Sequence, residues 1–181
     1  KVTVLPAAVR RERIERALQA RESDAETLRL PWQDDFVIFP VVKVPLVATV
    51  LNPRSHRIRA QLESHRESML VQTDPFSDAA QEVVRQVLRD LDPDNFAELK
   101  DNLRATGQRD PGVVTRDGLL VNANRRATAL HDLGEEYVRV AILPPDAGEL
   151  ELEQLELRLQ IQRDFKDPYT FTNELVFVHD L

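Results

Sequence analysis

Apolar positions recur at helical spacing in several stretches of the chain. Between Asp78 and Leu91, the residues Val83, Val84, Val87, Leu88 and Leu91 form one stripe, the pattern of a helix packed on a core. Asp92 to Gly107 repeats it with Phe96, Leu99 and Leu103. There Pro93 suits a first turn, Asn95 with Glu98 a capping box, and Gly107 a helix end. Arg59 to Leu70 also reads as helix, set off from the next by Thr73-Asp74-Pro75. Ala7 to about Leu28 is charged and helix-favouring, with a thin stripe of Val9, Ile14, Ala17 and Leu18. It reads as a solvated helix packed on the domain, although its arginine-rich end could also touch nucleic acid.

Other stretches carry strand signals. Phe36 to Phe39 and Val41 to Val50 are apolar and β-branched, with Pro40 and Pro45 expected at strand starts or edges. Val113-Val114, Leu119 to Val121 and Tyr137 to Leu143 are further short strands. Trp32, after the break at Leu30-Pro31, is expected to anchor the N-terminal helix on the sheet. Leu150 to Ile161 fits both periods. Alternating Leu155, Leu157, Leu159 and Ile161 favour a strand, whereas its acids and an Asp146/Glu149 capping box favour a helix, which is the assignment adopted.

Asp117 to Gly134 (DGLLVNANRRATALHDLG) organises the rest. A turn at Asp117-Gly118 leads into a buried strand, a break at Asn122-Ala123-Asn124, and a short helix from Arg125 to Leu133 closed by Gly134. Arg125 and Arg126 therefore fall in the first turn of a helix. Cations there are mildly unfavourable against the helix dipole, by roughly 0.3–1 kcal/mol each. Free backbone N–H groups with two guanidinium forks make a phosphate site. The alternative is that both arginines are solvated or pair with local acids such as Asp117 and Asp132. Arg54, Arg57 and Arg59, after the turn at Asn52-Pro53, form a second basic cluster, open to phosphate or to solvent.

Composition narrows the chemistry. The 181-residue chain carries a formal net charge of -7, which gives no overall electrostatic surface for DNA but leaves local basic patches. It has no cysteine, so disulfides, thiolate metal sites and thiol catalysis are excluded. His56, His65, His131 and His179 have no zinc-ligand spacing. No apolar run suits a bilayer span and no signal-peptide pattern opens the chain, so a cytoplasmic setting is the expectation.

The strand–Ala123-Asn124-Arg125-Arg126–helix unit resembles the nucleotide-binding motif of the ParB/sulfiredoxin-like superfamily, in which Gly-Glu-Arg-Arg or Gly-Asn-Arg-Arg stands between strand and helix. Two further landmarks occur in the family's order. Gly107 and Pro111 match a turn that lies beside base and ribose, and Gln162-Arg163 matches the end of a helical Glu-Asn-x-Gln-Arg motif facing phosphates and metal. Ala123 replaces the family's glycine, Thr128 a following arginine, Leu159 the acid and Gln160 the asparagine. Asp164 and Asp167 are the nearest acids that could substitute.

The resemblance implies an α+β fold, a small mixed sheet surrounded by helices, over residues 36–181. Residues 1–35 would form an N-terminal helical extension and 59–91 a helical insertion. It implies a CTP- or ATP-binding switch or NTPase that acts with DNA, in genome or plasmid maintenance or phage defence, with Mg²⁺ carried on the nucleotide. Gly107, Pro111, Asn122, Ala123, Asn124, Arg125, Arg126, Gln162 and Arg163 would line the nucleotide site. Gln162 and Asn124 would be the catalytic candidates, and Arg54 and Arg57 would touch DNA. A homodimer closing on nucleotide is the implied assembly. Protein ligands for the metal are not assigned. The alternatives are a nuclease of the same fold and a non-catalytic interaction module. Sulfiredoxin chemistry is excluded by the lack of cysteine.

Overall fold

The computed structural model describes residues 3–166. The sheet runs β1 (Thr27–Trp32), β2 (Asp35–Pro45), β5 (Tyr137–Ile142), β3 (Gly112–Val114), β4 (Leu120–Asn122), in the spatial order β1-β2-β5-β3-β4. Among these five strands, β3 and β5 pair in parallel and the other pairs are antiparallel, so the sheet is mixed and the fold is α+β. Pro40 is mid-strand: β2 pairs with β1 up to that residue and with β5 from Val41 onward.

Strand side chains alternate between two cores. Val42, Val44, Val140 and Ile142 face one side. There they meet α1 (Ala7–Gln19), α4 (Asp78–Asp90), α5 (Pro93–Thr106) and α6 (Asn124–Asp132). Val41, Ala141 and Leu143 face the other side, with Leu30, Trp32, Phe39 and Leu155 of α7 (Glu149–Lys166). The helical assignment of the ambiguous acidic stretch therefore holds. Its capping bond lies two residues further on than expected: Glu151 accepts the N–H of Gly148, rather than Glu149 serving Asp146.

The N-terminal stretch departs from expectation. The helix stops at Gln19 because its apolar stripe runs out at Leu18, and Thr27–Trp32 forms a strand. Trp32 is a packing anchor, but within the β1–β2 hairpin, edge-on to Phe39 at 5.9 Å between centroids. The helix expected over Arg59–Leu70 is two short ones, α2 (Arg59–Glu63) and α3 (Ser68–Thr73). Between them the Ser64 hydroxyl turns back onto the Ala60 and Gln61 carbonyls, a local bond that competes with helix propagation. As its apolar stripe predicts, α4 packs on the core and buries Ala80, Val83, Val84, Val87 and Leu88. Its Gln81 amide pairs with the backbone N–H and C=O of Leu51. At the start of α5 the cap is Asp92, which accepts the N–H of Asn95, rather than Asn95 itself.

Candidate functional site

The site is built on the β4–α6 junction. Gly118, at φ 93°, turns the chain so tightly that a Cβ there would lie 2.2 Å from the Ala48 carbonyl oxygen. Leu120 and Val121 then run buried, and Ala123 reverses direction in the left-handed region at φ 63°, ψ 21°. That conformation costs an L-residue roughly 1–2 kcal/mol. Ala123 has no side-chain cap to offer, so the first N–H groups of α6 are left without one. The helix ends with Gly134 in the left-handed region; its N–H bonds the His131 carbonyl and that of Glu135 the Leu130 carbonyl, a Schellman closure.

A cleft of about 460 Å³ opens over this junction, within the usual range for a small-molecule site. Residues 122–126 form its floor. Ser55 and Arg57 enter from the loop after Asn52, Asn95, Glu98 and Asn102 from α5, and Glu156, Leu159, Gln160 and Arg163 from α7. The α7 residues share one face because their spacing is i, i+3, i+4, i+7.

Arg57, Arg125, Arg126 and Arg163 converge here, and none forms an ion pair with a carboxylate among the described residues. Arg125 is buried, only 7% exposed, and stacks near the Phe96 ring. Its Nη1 donates to Asn95 Oδ1 at 2.7 Å and its Nη2 to the Asp92 carbonyl. Its buried Nε has no partner among the described residues. Arg126 donates to the Asp110 carbonyl at 2.6 Å. Burial pushes the Arg57 guanidinium below its ordinary pKa, repulsion from Arg125 and Arg163 pushes the same way, and Asp92 opposes. Arg126 is lowered by burial and by Arg163, with Asp110 opposing.

The sequence candidates divide. Asn122, Ala123, Arg125, Arg126, Arg163 and Arg57 come together in the cleft. Asn124 lines it too, but both ends of its amide are engaged. Oδ1 accepts the Asn52 N–H at 2.9 Å and Nδ2 donates to the Leu120 carbonyl at 3.3 Å. Asn122 Oδ1 likewise accepts the Val113 N–H at 2.7 Å. Gln162 is exposed and off the cleft wall, because it sits six residues beyond Glu156 and so on another face of α7. Gly107 closes the far end of α5 and Pro111 leads into β3; neither reaches the cleft. Arg54 pairs with Glu149 on the surface. Asp167 lies outside the described residues, as does the side chain of Asp164.

Glu156 and Ser55 were not among the sequence candidates. Glu156 is 8% exposed, and its Oε1 accepts both the Ser55 hydroxyl at 2.7 Å and the His56 N–H at 3.0 Å. The signal was the Glu156/Gln160/Arg163 helical spacing, readable once α7 is taken as a helix. Among the described residues no cluster of three His, Cys, Asp or Glu side chains could hold a metal ion, and no helix is long and apolar enough to cross a membrane. No protein-family model and no curated protein matches this chain.

Proposed function

We propose that the cleft binds the phosphates of a nucleoside triphosphate, CTP or ATP, and that the protein is a nucleotide-responsive switch working with DNA. The observation that carries this reading is the convergence of Arg57, Arg125, Arg126 and Arg163 at the N-terminus of α6 without carboxylate partners among the described residues, with the Arg125 Nε orphaned. A polyphosphate uses the uncapped helix N–H groups and removes the mutual repulsion of the guanidinium groups. The strand–NANRR–helix resemblance to ParB-like proteins supports the same ligand, and the DNA and homodimer parts of the reading rest on that resemblance. Mg²⁺ fits only as an ion carried on the nucleotide's own phosphates, given the lack of a protein-built cluster among the described residues.

Binding is favoured over hydrolysis. Asn124, a catalytic candidate, has both ends of its amide engaged, with Asn52 and Leu120, and Gln162 does not line the cleft. The test is calorimetric titration with CTP, ATP and GTP plus Mg²⁺, on the wild type and on an Arg126→Ala, Arg163→Ala double variant. Binding abolished in the double variant is the expected result. Wild-type protein that binds none of the three would sink the reading and leave a non-catalytic interaction module.

A further inference from the structure

The cleft has two chemically opposite ends. Arg163 is seven residues beyond Glu156 on the same helical face, hence about 10 Å along α7. Arg163 belongs to the cationic end, since its charge acts on both Arg57 and Arg126. Glu156 is nearly buried and makes no ion pair with a cation among the described residues. Its Oε1 is locked by Ser55 and His56, while no donor among the described residues reaches Oε2. A carboxylate held this way repels phosphate and accepts only from a hydrogen-bond donor.

We propose that Glu156 is the specificity-determining residue of the cleft, its Oε2 accepting from the exocyclic amine of the ligand's base while the arginines hold the phosphates. This inference rests on the nucleotide reading above and narrows it to bases with an amine at the position of cytosine N4 or adenine N6, over their carbonyl counterparts, uracil and hypoxanthine. The physical basis is that a site built around a buried acceptor rejects an analogue that offers a second acceptor in place of the donor. Ser55 acts as a positioning residue, because its hydroxyl fixes which carboxylate oxygen is left open.

The experiment compares CTP with UTP, ATP with ITP, and inorganic tripolyphosphate, by calorimetry on the wild type and Glu156→Gln. The glutamine keeps an oxygen for Ser55 and His56 and turns an N–H toward the ligand, so the loop stays anchored while the acceptor becomes a donor. The expected result is a wild-type preference for the amine base of about ten- to a hundredfold, lost or inverted in Glu156→Gln, with tripolyphosphate bound no more weakly by the variant than by the wild type. Equal wild-type affinity for amine and carbonyl bases would overturn the assignment while leaving the nucleotide reading intact. A loss in the variant that is uniform across bases and seen only with Mg²⁺ would also overturn it, making Glu156 a metal ligand. Failure of the wild type to bind any of the nucleotides would remove both readings together.

Discussion

Asn124 Oδ1 accepts the backbone N–H of Asn52 at 2.9 Å, and this bond joins the loop that carries Ser55 and Arg57 to the first turn of α6. The same amide donates to the Leu120 carbonyl on β4. One side chain thus holds together the two walls that bring arginines into the cleft. Asn124→Ala leaves a donor and an acceptor unpaired, at a cost of about 1–3 kcal/mol. A lower Tm, with the affinity for CTP, ATP and tripolyphosphate weakened to the same degree, is expected. A selective loss of hydrolysis with unchanged stability would instead restore Asn124 as a catalytic group.

Ala123 holds a left-handed conformation that glycine adopts freely. Relief of roughly 1–2 kcal/mol of strain is offset by the larger chain entropy of glycine, about 0.4–1 kcal/mol. Ala123→Gly should therefore stabilise the protein by roughly 0.5–1 kcal/mol, as read by chemical denaturation. An unchanged or lower midpoint would mean that the Ala123 methyl contributes packing beyond this, for instance against Gly112, whose own Cβ would sit 3.0 Å from it.

Gly118 allows no such freedom. A methyl group there would collide with the Ala48 carbonyl oxygen at 2.2 Å, in a backbone conformation that already disfavours L-residues. Gly118→Ala should cost more than about 3 kcal/mol and disturb the Val50–Leu119 bridge beside it. A melting curve within a degree of wild type would refute the tightness of this turn.

The arginines should separate by role. Arg125 ties α6 to the Asp92 carbonyl and Asn95 at the start of α5, so Arg125→Ala should lower stability by roughly 1–3 kcal/mol as well as binding. Arg163→Ala removes a repulsive neighbour of Arg57 and Arg126 and should leave the apo-protein as stable or slightly more so. Tripolyphosphate should raise the wild-type Tm, less so at high salt, and raise that of Arg163→Ala by a smaller amount. Equal ligand-induced shifts in wild type and Arg163→Ala would remove Arg163 from the anion site.

Acid sensitivity should trace in part to α6. Arg89 of α4 makes a two-pronged pair with Asp132, at 2.9 and 2.7 Å. Burial raises the Asp132 pKa, but the Arg89 bond and charge outweigh it and hold the carboxyl below its ordinary value near 3.8. A carboxyl depressed in the folded state stabilises above its unfolded pKa and loses that contribution as pH falls through the folded one. Asp132→Asn should cost about 1–2 kcal/mol at neutral pH, and the gap to wild type should close below about pH 4. A gap that stays constant from pH 7 to pH 3 would show that the pair contributes nothing through charge.

Much of this protein is legible one segment at a time. The 3.6-residue stripes of α4 and α5, the Gly118 turn, the β4–α6 junction and the Gly134 closure each follow from local spacing and from residues that only certain backbone angles accept. Those signals were enough to bring Asn122 to Arg126 forward as a site. What the chain does with the leftover residues was decided by pairing at long range. Thr27–Trp32 is a strand because β2 offers a partner edge, not because its own composition demands it. Asn124 is a clasp because Asn52, seventy-two positions away, presents an N–H. Glu156 rather than Gln162 enters the cleft because α7 docks through Leu155 and so turns one face of the helix inward. Periodicity names the faces of a helix, but only the surface it packs against selects which face meets the ligand.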